Sequence, residues 1–313
     1  MTAVIPSSLL PGLAIAAAGS VAFSGKAIIA KLAYRHGVDA VTLLMLRMVF
    51  ALPLFVAMAW WSSRGKPRLT GREWMGVAGL GFSGYYLASF LDFAGLVYIT
   101  ASLERLVLYL TPTLVLLLGW ALHKKPFHRM QVAGTAISYA GVAMVFGREL
   151  GAVGPDTILG FALVFASAVS YAVYLVFSGQ LVQTLGAMRL VGLATSFACL
   201  CCIAQYMVLR PWDAAFALAP EVIWLSVLNA TLCTAVPVLL VMMAIERIGA
   251  QLYAQVSMVG PLSTIVMGTL LLDEPFTGWI VAGTVLVLIG IWVFTQGPRV
   301  PAPAALVGQR RHL

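Results

Sequence analysis

Charged residues are scarce in this sequence. They make up 10% of the 313 residues, whereas hydrophobic residues make up 61%. Soluble domains carry about 25% charged and about 45 to 50% apolar residues. A soluble core cannot bury so much apolar surface, so the composition excludes an ordinary soluble domain and favours an all-α polytopic membrane protein.

Histidine and cysteine are also rare, with four of each. A metal centre needs clustered ligands, and a nucleophilic serine needs a base within reach. The histidines lie at predicted corners or in the tail, and the cysteines are best explained as small apolar fillers. We therefore expect no enzyme, no catalytic residue, no metal and no cofactor. These residues are His36, His123, His128 and His312, and Cys199, Cys201, Cys202 and Cys233.

One short motif favours an enzyme. Gly81-Phe82-Ser83-Gly84 resembles the serine motif of intramembrane proteases, but Phe-Ser-Gly also occurs at Phe23-Ser24-Gly25 and Phe177-Ser178-Gly179. Composition explains a tripeptide that occurs three times in so apolar a chain. No phosphate-cradling loop accompanies it in the sequence, so a membrane enzyme is disfavoured.

Long apolar segments fill nearly the whole chain. A helix of about 20 apolar residues crosses a hydrocarbon core of about 30 Å, and the sequence predicts ten transmembrane helices of this kind. The short loops leave no room for a separate soluble domain. The predicted spans are 9–33, 40–61, 74–97, 100–122, 129–147, 157–181, 187–209, 221–245, 250–272 and 277–296.

The basic residues gather in alternate loops, although the net charge of +8 alone would suggest nucleic acid in a soluble protein. Because cytoplasmic loops carry an excess of Lys and Arg, this bias predicts cytoplasmic N- and C-termini. The predicted inner loops hold Arg64, Lys66, Arg68, Arg72, Lys124, Lys125, Arg129, Arg189, Arg247, Arg299, Arg310 and Arg311. The predicted outer ones hold Lys31, Arg35, Arg148 and Arg210. The first span lacks a preceding basic stretch and a small-residue cleavage site, so we expect a mature helix and no signal peptide.

The chain contains a long internal repeat. Residues 99–141 align without a gap on residues 248–290 at a constant shift of 149. Five spans per half is an odd number, so the second copy enters the membrane from the opposite side and the repeats are inverted. Inverted repeats are typical of carriers that work by alternating access. We expect a first repeat at 1–150, a second at 151–297 and a cytoplasmic tail at 298–313.

Proline and glycine mark special positions in the repeat. Pro112 and its counterpart Pro261 lie about 12 residues into their spans, which is near the bilayer midplane. They either kink the helices beside a binding site or form purely structural bends. For Pro53 and Pro237, which have no symmetric mates, a structural bend is favoured. Glycines in spans five and ten indicate close packing, within the chain or between protomers.

Five charged residues lie inside predicted spans beyond the first and last three positions, all in the first half and all toward the outer side. Their counterparts in the second half include Tyr174, Thr195, Tyr253 and Ala254. The charges either neutralise one another or form a gate that opens to meet a charged substrate, with an acid carrying a coupling proton. Lys26 is the preferred contact for a carboxylate. These residues are Lys26, Arg47, Asp92, Glu104 and Arg105.

Aromatic and amide side chains complete the candidate site. Gln251 and Gln255 are four residues apart and share a helix face. A tyrosine either contacts substrate or belongs to an interfacial belt or the packing. The candidates are Tyr85, Tyr86, Tyr109, Tyr171, Tyr174, Asn229, Gln251 and Gln255, together with Pro112 and Pro261.

The repeat ending resembles the EamA family of the drug/metabolite transporter superfamily. The stretch IERIGAQLYAQVSMVGPLSTIVMGTLLLDEPFTGWIVAGTVLVLIG, from Ile245 to Gly290, carries a basic residue and glycine, a mid-span proline, the corner acid Glu274 and a glycine-bearing last span. The first copy, LERLVLYLTPTLVLLLGWALHKKPFHRMQVAGTAISYAG, has Lys125 where the family usually has Glu. A corner acid is therefore expected only in the second half.

The resemblance implies a secondary transporter in a bacterial-type inner (plasma) membrane. Its substrate would be a small metabolite, such as an amino acid or related amphipathic compound, and family habit favours export. A passive channel or a lipid-handling membrane protein is the alternative. The expected partners are the small-molecule substrate and the lipid bilayer, with no nucleic acid. Proton coupling and a homodimer stay open.

Overall fold

The computed structural model describes most of the chain, and the regular structure in that part is helical, with no strand. The helical segments are long because apolar side chains face lipid or one another, and a helix satisfies its own backbone hydrogen bonds there. The described residues are 10–108, 110–123, 129–150, 155–211, 215, 218–241, 243–244 and 259–295.

The helices are labelled in chain order. They are α1 (Leu10–Tyr34), α2 (Ala40–Ser63), α3 (Gly71–Leu80, then the π-helical Gly81–Leu87 and Ala88–Leu96), α4 (Ala101–Leu108 and Thr111–His123), α5 (Arg129–Leu150), α6 (Pro155–Leu185), α7 (Ala187–Leu209), α8 (Pro220–Ala230, then the π-helical Thr231–Ala235), α9 (Val259–Leu272) and α10 (Gly278–Thr295). The helical run of α8 extends to Val241.

Helix occurs within each of the ten predicted ranges, but not every helix has the length and apolarity of a membrane span. In the described part of the chain, five helices meet that standard: Pro11–Tyr34, Ala40–Ser63, Asp156–Ser178, Ala187–Leu209 and Pro220–Val241. Three shorter helices are also apolar: Val132–Val145, Ser263–Leu272 and Gly278–Gly290. The protein is thus an all-helical membrane protein.

Local sequence signals fix the helix ends. Asp39 caps α2 by accepting hydrogen bonds from the N–H groups of Val41 and Thr42, and Thr70 and Glu73 form a capping box on α3. Burial raises the pKa of Asp39, but hydrogen bonds from Thr42 and Arg210 outweigh it and hold the pKa below the usual value. Such caps satisfy donors that a helix start leaves open.

Helix α4 differs from the predicted continuous span. Leu110 is a turn residue between the described segments Ala101–Leu108 and Thr111–His123, so Pro112 lies in the first turn of the second segment. In a first turn the missing N–H of proline costs nothing, because that group has no partner within the helix. The span is thus interrupted near Pro112 as predicted, but by a turn before the proline and not by a kink within one continuous helix. Pro261 likewise lies in the first described turn of α9.

The main helix contacts occur in pairs that are related by exchanging the first half with the second. Helix α2 packs on its counterpart α7, and α5 packs on its counterpart α10. The contacts of α1 with α8 and α9 are matched by those of α6 with α3 and α4. The main contacts between the halves are thus repeated when the two halves are exchanged.

Glycines permit the contact between α5 and α10. A Cβ added to Gly141 would lie 2.7 Å from the carbonyl oxygen of Gly283, and one added to Gly290 would lie 2.6 Å from that of Gly134. Side chains would separate these backbones, since real Cβ contacts are longer. The predicted close packing is confirmed, and it occurs within one chain.

Two π-helical turns occupy matching places in the halves, which sequence reasoning missed. One spans Gly81–Leu87 in α3 and the other Thr231–Ala235 in α8, so they overlap at a shift of about 149 residues. A π turn inserts one residue into a helix and redirects the side chains beyond it. In α3 this change of direction precedes Asp92, and in α8 the turn itself carries Thr234.

Candidate functional site

Lys26 of α1 lies between two carboxylates. Its Nζ is 2.5 Å from Asp92 Oδ2 of α3 and 3.9 Å from Glu104 Oε1 of α4. Arg105 Nε lies 3.2 Å from Glu104 Oε2. All four side chains are buried. Three helices of the first half therefore meet through charges that largely neutralise one another, as the pairing alternative predicts.

Arg47 of α2 lies beside this group but has a different partner. Its Nε donates to Thr234 Oγ1 of α8 at 2.9 Å, and its guanidinium carbon lies 5.1 Å from the centre of the Phe93 ring. Lys26 Nζ lies 5.8 Å from the same ring centre. An aromatic face attracts a cation, so Phe93 stabilises both. We call Lys26, Arg47, Asp92, Glu104 and Arg105 the charged cluster.

Helix α8 brings the second half into contact with the charged cluster. Asn229 is fully buried, and its Nδ2 donates to the carbonyl oxygen of Lys26 at 3.3 Å. The Thr234 hydroxyl donates to the Asn229 carbonyl oxygen at 2.8 Å. Thr234 itself lies within the π turn. The π turn thus positions the hydroxyl that Arg47 contacts.

The charged cluster holds most of the buried side-chain atoms that lack a well-aligned hydrogen bond. In the described part of the chain there are eight such atoms, and seven belong to the cluster or to Asn229. The eighth is Thr195 Oγ1. Buried polar atoms normally find partners, so a concentration of unsatisfied ones indicates a functional site. The seven are Arg47 Nη1, Asp92 Oδ1, Glu104 Oε1 and Oε2, Arg105 Nε and Nη2, and Asn229 Oδ1.

Three of the predicted tyrosines form a separate group. The hydroxyls of Tyr85 and Tyr174 are 3.1 Å apart, and the ring of Tyr174 stacks on that of Tyr171 with 5.5 Å between centres. Tyr174 is buried, whereas Tyr171 is exposed on the outer surface of the bundle. We call Tyr85, Tyr171 and Tyr174 the tyrosine cluster. Tyr86 packs beside Phe82 and lies outside it.

The two clusters are counterparts in the repeat. Tyr174 corresponds to Lys26, and Thr195 corresponds to Arg47, both at a shift of 148. Thr234 corresponds to Tyr85 at the later shift of 149. Thr195 lies close to Tyr85, as Arg47 lies close to Thr234. The same helix junction is therefore charged in one half and carries hydroxyls in the other.

The remaining predicted site residues are not placed by the structure. Tyr109, Gln251 and Gln255 lie outside the described residues, and Pro112 and Pro261 are described only as backbone positions within α4 and α9. Residues that sequence reasoning missed are Phe93 and Thr234. Nothing in their own sequence neighbourhood distinguishes them, although Thr234 could have been found as the counterpart of Tyr85.

The corner acid Glu274 joins the second half to the first. Its carboxylate accepts from the Ala101 N–H at 2.7 Å and from the Ser102 hydroxyl at 2.8 Å, at the start of α4. A carboxylate is favourable at a helix N-terminus because unsatisfied N–H groups point toward it. Nearby, Arg35 Nη2 donates to the Leu272 carbonyl oxygen at 2.5 Å. These contacts close one end of the bundle.

Other features of the described residues do not form a second chemical centre. Cys199, Cys202 and Cys233 are buried thiols, and the described residues contain no group of three metal-ligating side chains. A cavity of about 400 Å³ lies at the basic corner after α2, between Lys66, Arg68 and Arg189. It is remote in sequence from the charged cluster and shares no lining residue with it.

The fold and the site together define a class of protein. Apolar helices surround a buried junction of charged and polar side chains from both halves, which is the arrangement of membrane proteins that handle polar solutes. Comparison with known families then specifies the class. The model of the EamA-like transporter family matches residues 10–147 and again residues 158–296. The chain belongs to this family, as the sequence resemblance predicts.

Individual relatives agree with that assignment. An uncharacterized transporter of Bacillus subtilis, YcbK, is 28% identical over 264 residues, which cover 82% of this chain and 83% of that protein. An uncharacterized transporter of Archaeoglobus fulgidus is 29% identical over 126 residues, covering 40% of this chain and 42% of its own. A solved crystal structure of a protein has a TM-score of 0.63 at 18% identity, covering 92% of this chain and 97% of that one. That likeness concerns the fold alone.

Proposed function

We propose that this protein is a secondary transporter that moves a small metabolite across the inner membrane by alternating access. The observation that carries the proposal is the charged cluster, where buried polar atoms that lack a well-aligned hydrogen bond meet between helices of both halves. A junction built only for stability would satisfy those atoms or replace them with apolar groups. Membership of a transporter family supports the same conclusion.

The proposed architecture has ten transmembrane helices in two inverted five-helix repeats, at 1–150 and 151–297, with residues 298–313 as a cytoplasmic tail. Exchange-related helix contacts and paired π turns support the inverted repeat. The loop charges support cytoplasmic termini. In this arrangement the charged cluster lies in the outer half of the membrane and the tyrosine cluster in the inner half.

Alternating access would exchange the conformations of the two halves. The contacts of Glu274 with Ala101 and Ser102, and of Arg35 with Leu272, would close the outer side and would have to break when it opens. The counterparts of Glu274, Ala101 and Ser102 are Lys125, Ala250 and Gln251, which lie outside the described residues. Other members of the family commonly export their substrates, so we favour export of the metabolite. If transport is coupled to protons, Asp92 or Glu104 would be the residue that carries the proton.

A ligand screen followed by counterflow tests this proposal. Purified protein is screened by thermal shift against amino acids, aromatic acids, nucleosides and organic cations, since a bound ligand stabilises by mass action. A stabilising compound is then loaded into proteoliposomes, and uptake of its labelled form is measured. Saturable uptake driven by unlabelled compound on the opposite side is expected. A conductance without counterflow would establish a channel instead.

A further inference from the structure

The charged cluster contains three cationic side chains and two carboxylates. Lys26 and Arg105 are balanced by Asp92 and Glu104, which lie within 4.0 Å of them. Arg47 has no carboxylate within that distance in the described part of the chain. Asp92, the carboxylate on the helix that carries Phe93, is bound to Lys26 instead. With all five groups ionised the cluster therefore carries a net charge of +1, located on Arg47.

Burial makes this surplus charge informative. Arg47 is only 5% exposed, and a guanidinium stays protonated in proteins. A charge buried in a membrane protein is costly unless an opposite charge accompanies it, so such residues usually face a partner or a pathway. The other polar neighbours of Arg47 include the thiols of Cys199, Cys202 and Cys233. Thiols are weak hydrogen-bond partners and do not replace a carboxylate.

The geometry of Arg47 leaves it ready to bind an anion. Its Nε is used by Thr234, and its Nη1 makes no hydrogen bond. The guanidinium presents several donors in a fixed fork that matches a carboxylate. Phe93, which lies against its face, offers an apolar surface to the rest of a ligand. Lys26 is less suitable than the sequence predicts, because two carboxylates already hold it.

We propose that Arg47 is the carboxylate-binding residue of the transport site and that the substrates are organic monocarboxylates with an apolar body. This inference rests on the proposed transport function. One negative charge on the substrate neutralises the +1 charge of the cluster. The substrate therefore needs no ammonium group to balance its carboxylate. In the second half Thr195 takes the place of Arg47, so the anion would be held mainly by the first half.

The test compares ligands that differ only in charge. Phenylpropyl, indolylethyl and hexyl skeletons are each used as carboxylate, primary amide and primary ammonium at constant pH and ionic strength. For the wild type, the carboxylate of at least one skeleton should raise the thermal midpoint, while its amide and ammonium do not. Absence of a carboxylate-dependent shift in all three skeletons overturns the inference.

Variants then assign the effect to Arg47. R47Q should weaken apparent carboxylate affinity about tenfold or more, because a charge-assisted hydrogen bond is lost. R47K, which keeps the charge without the fork, should weaken it less. R64Q is the matched control, since Arg64 lies at the end of the same helix and stacks on Trp60. Equal carboxylate shifts in wild type and R47Q overturn the assignment.

Ligand-free stability provides a second measurement. Arg47→Met removes an unbalanced buried cation, so the variant should have a higher thermal midpoint than the wild type, as is common when a functional group is removed. A lower midpoint would mean that Arg47 serves packing through Thr234 and Phe93, and would overturn the assignment.

Transport separates the two proposals. If the protein binds the carboxylate but shows no counterflow, the proposed transporter function is contradicted and the proposed anion site is supported. If an amide or a cation shows counterflow at the same rate in wild type and R47Q, the transporter function is supported and the proposed anion site is overturned.

Discussion

Lys26 connects three helices through its two carboxylate contacts. A buried ion pair is expensive to break from one side, because the remaining partner stays buried without compensation. In this protein the loss of Lys26 would leave Asp92 without its ion-pair partner and Glu104 paired only with Arg105 among the described residues. The role of Lys26 is therefore to hold the junction together, whether or not it also meets substrate.

A double-mutant cycle on Lys26 and Asp92 tests this role. Lys26→Met and Asp92→Asn should each destabilise by about 3 to 5 kcal/mol. The double variant K26M/D92N should be less destabilised than the sum of the two, because it removes both charges of the pair. Thermal and denaturant unfolding of purified protein gives the four values. Strictly additive effects would show that the pair is not coupled, and unchanged transport in K26A and K26M would remove Lys26 from the pathway.

For single residues, the sequence indicates which side chains belong to the candidate site but not which of them contact one another. Charges inside apolar spans are visible by inspection, so Lys26, Arg47 and Asp92 could be chosen without a structure. That Arg47 contacts Thr234 could not, because 187 residues separate them and the contact depends on how two helices are rotated. The proposed carboxylate contact is Arg47, whereas the sequence alone favours Lys26.

Helix α3 contains a π turn at its contact with α6. Its π turn brings Gly84 against Tyr174 of α6, so that a Cβ at this position would lie 2.7 Å from Tyr174 Cβ. Ser170 Oγ of α6 donates to the Ser83 carbonyl oxygen at 2.8 Å, next to the same glycine. Glycine is required at position 84 because the Tyr174 side chain occupies the space that a Cβ would need.

Gly84→Ala should therefore separate α3 from α6. We expect a destabilisation of about 1 to 3 kcal/mol from overpacking and loss of the hydrogen bond between Tyr85 and Tyr174. Gly79→Ala is the matched control on the same helix, because no atom lies within 4 Å of its added Cβ. It should be neutral or stabilising by up to about 1 kcal/mol from helix propensity. Equal midpoints for the two variants would contradict the close contact at Gly84.

The π turns also show where element prediction from sequence fails. Hydrophobic runs locate helices well, since each predicted range contains helix among the described residues. The period within a helix is harder to predict: one inserted residue changes which face carries Asp92, yet Gly81–Leu87 contains no proline and no distinctive pattern. The form of the interruption in α4 near Pro112 is also hard to predict from sequence, because a proline can either kink a helix or begin one.

Over the whole molecule, the two halves share a scaffold but differ in charge. Their helices make exchange-related contacts, whereas the cluster around Arg47 is charged and its counterpart around Thr195 carries hydroxyls. A symmetric scaffold provides two related conformations, and an asymmetric charge distribution makes the substrate interact unequally with them. A ligand shifts such an equilibrium only through differential binding. The outer seam between α4 and α9 is where this exchange should be measurable.

A reversible disulfide across that seam tests whether it must open. A Cβ added to Gly268 of α9 would lie 3.5 Å from Ser102 Oγ of α4, which suits a disulfide between S102C and G268C. In a background with Cys199, Cys201, Cys202 and Cys233 replaced, oxidation should abolish counterflow and reduction should restore it. The single variants S102C and G268C serve as controls, because a side chain at Gly268 also approaches Glu274. Full counterflow in the crosslinked protein would show that α4 and α9 stay together throughout transport, and alternating access across this seam would be wrong.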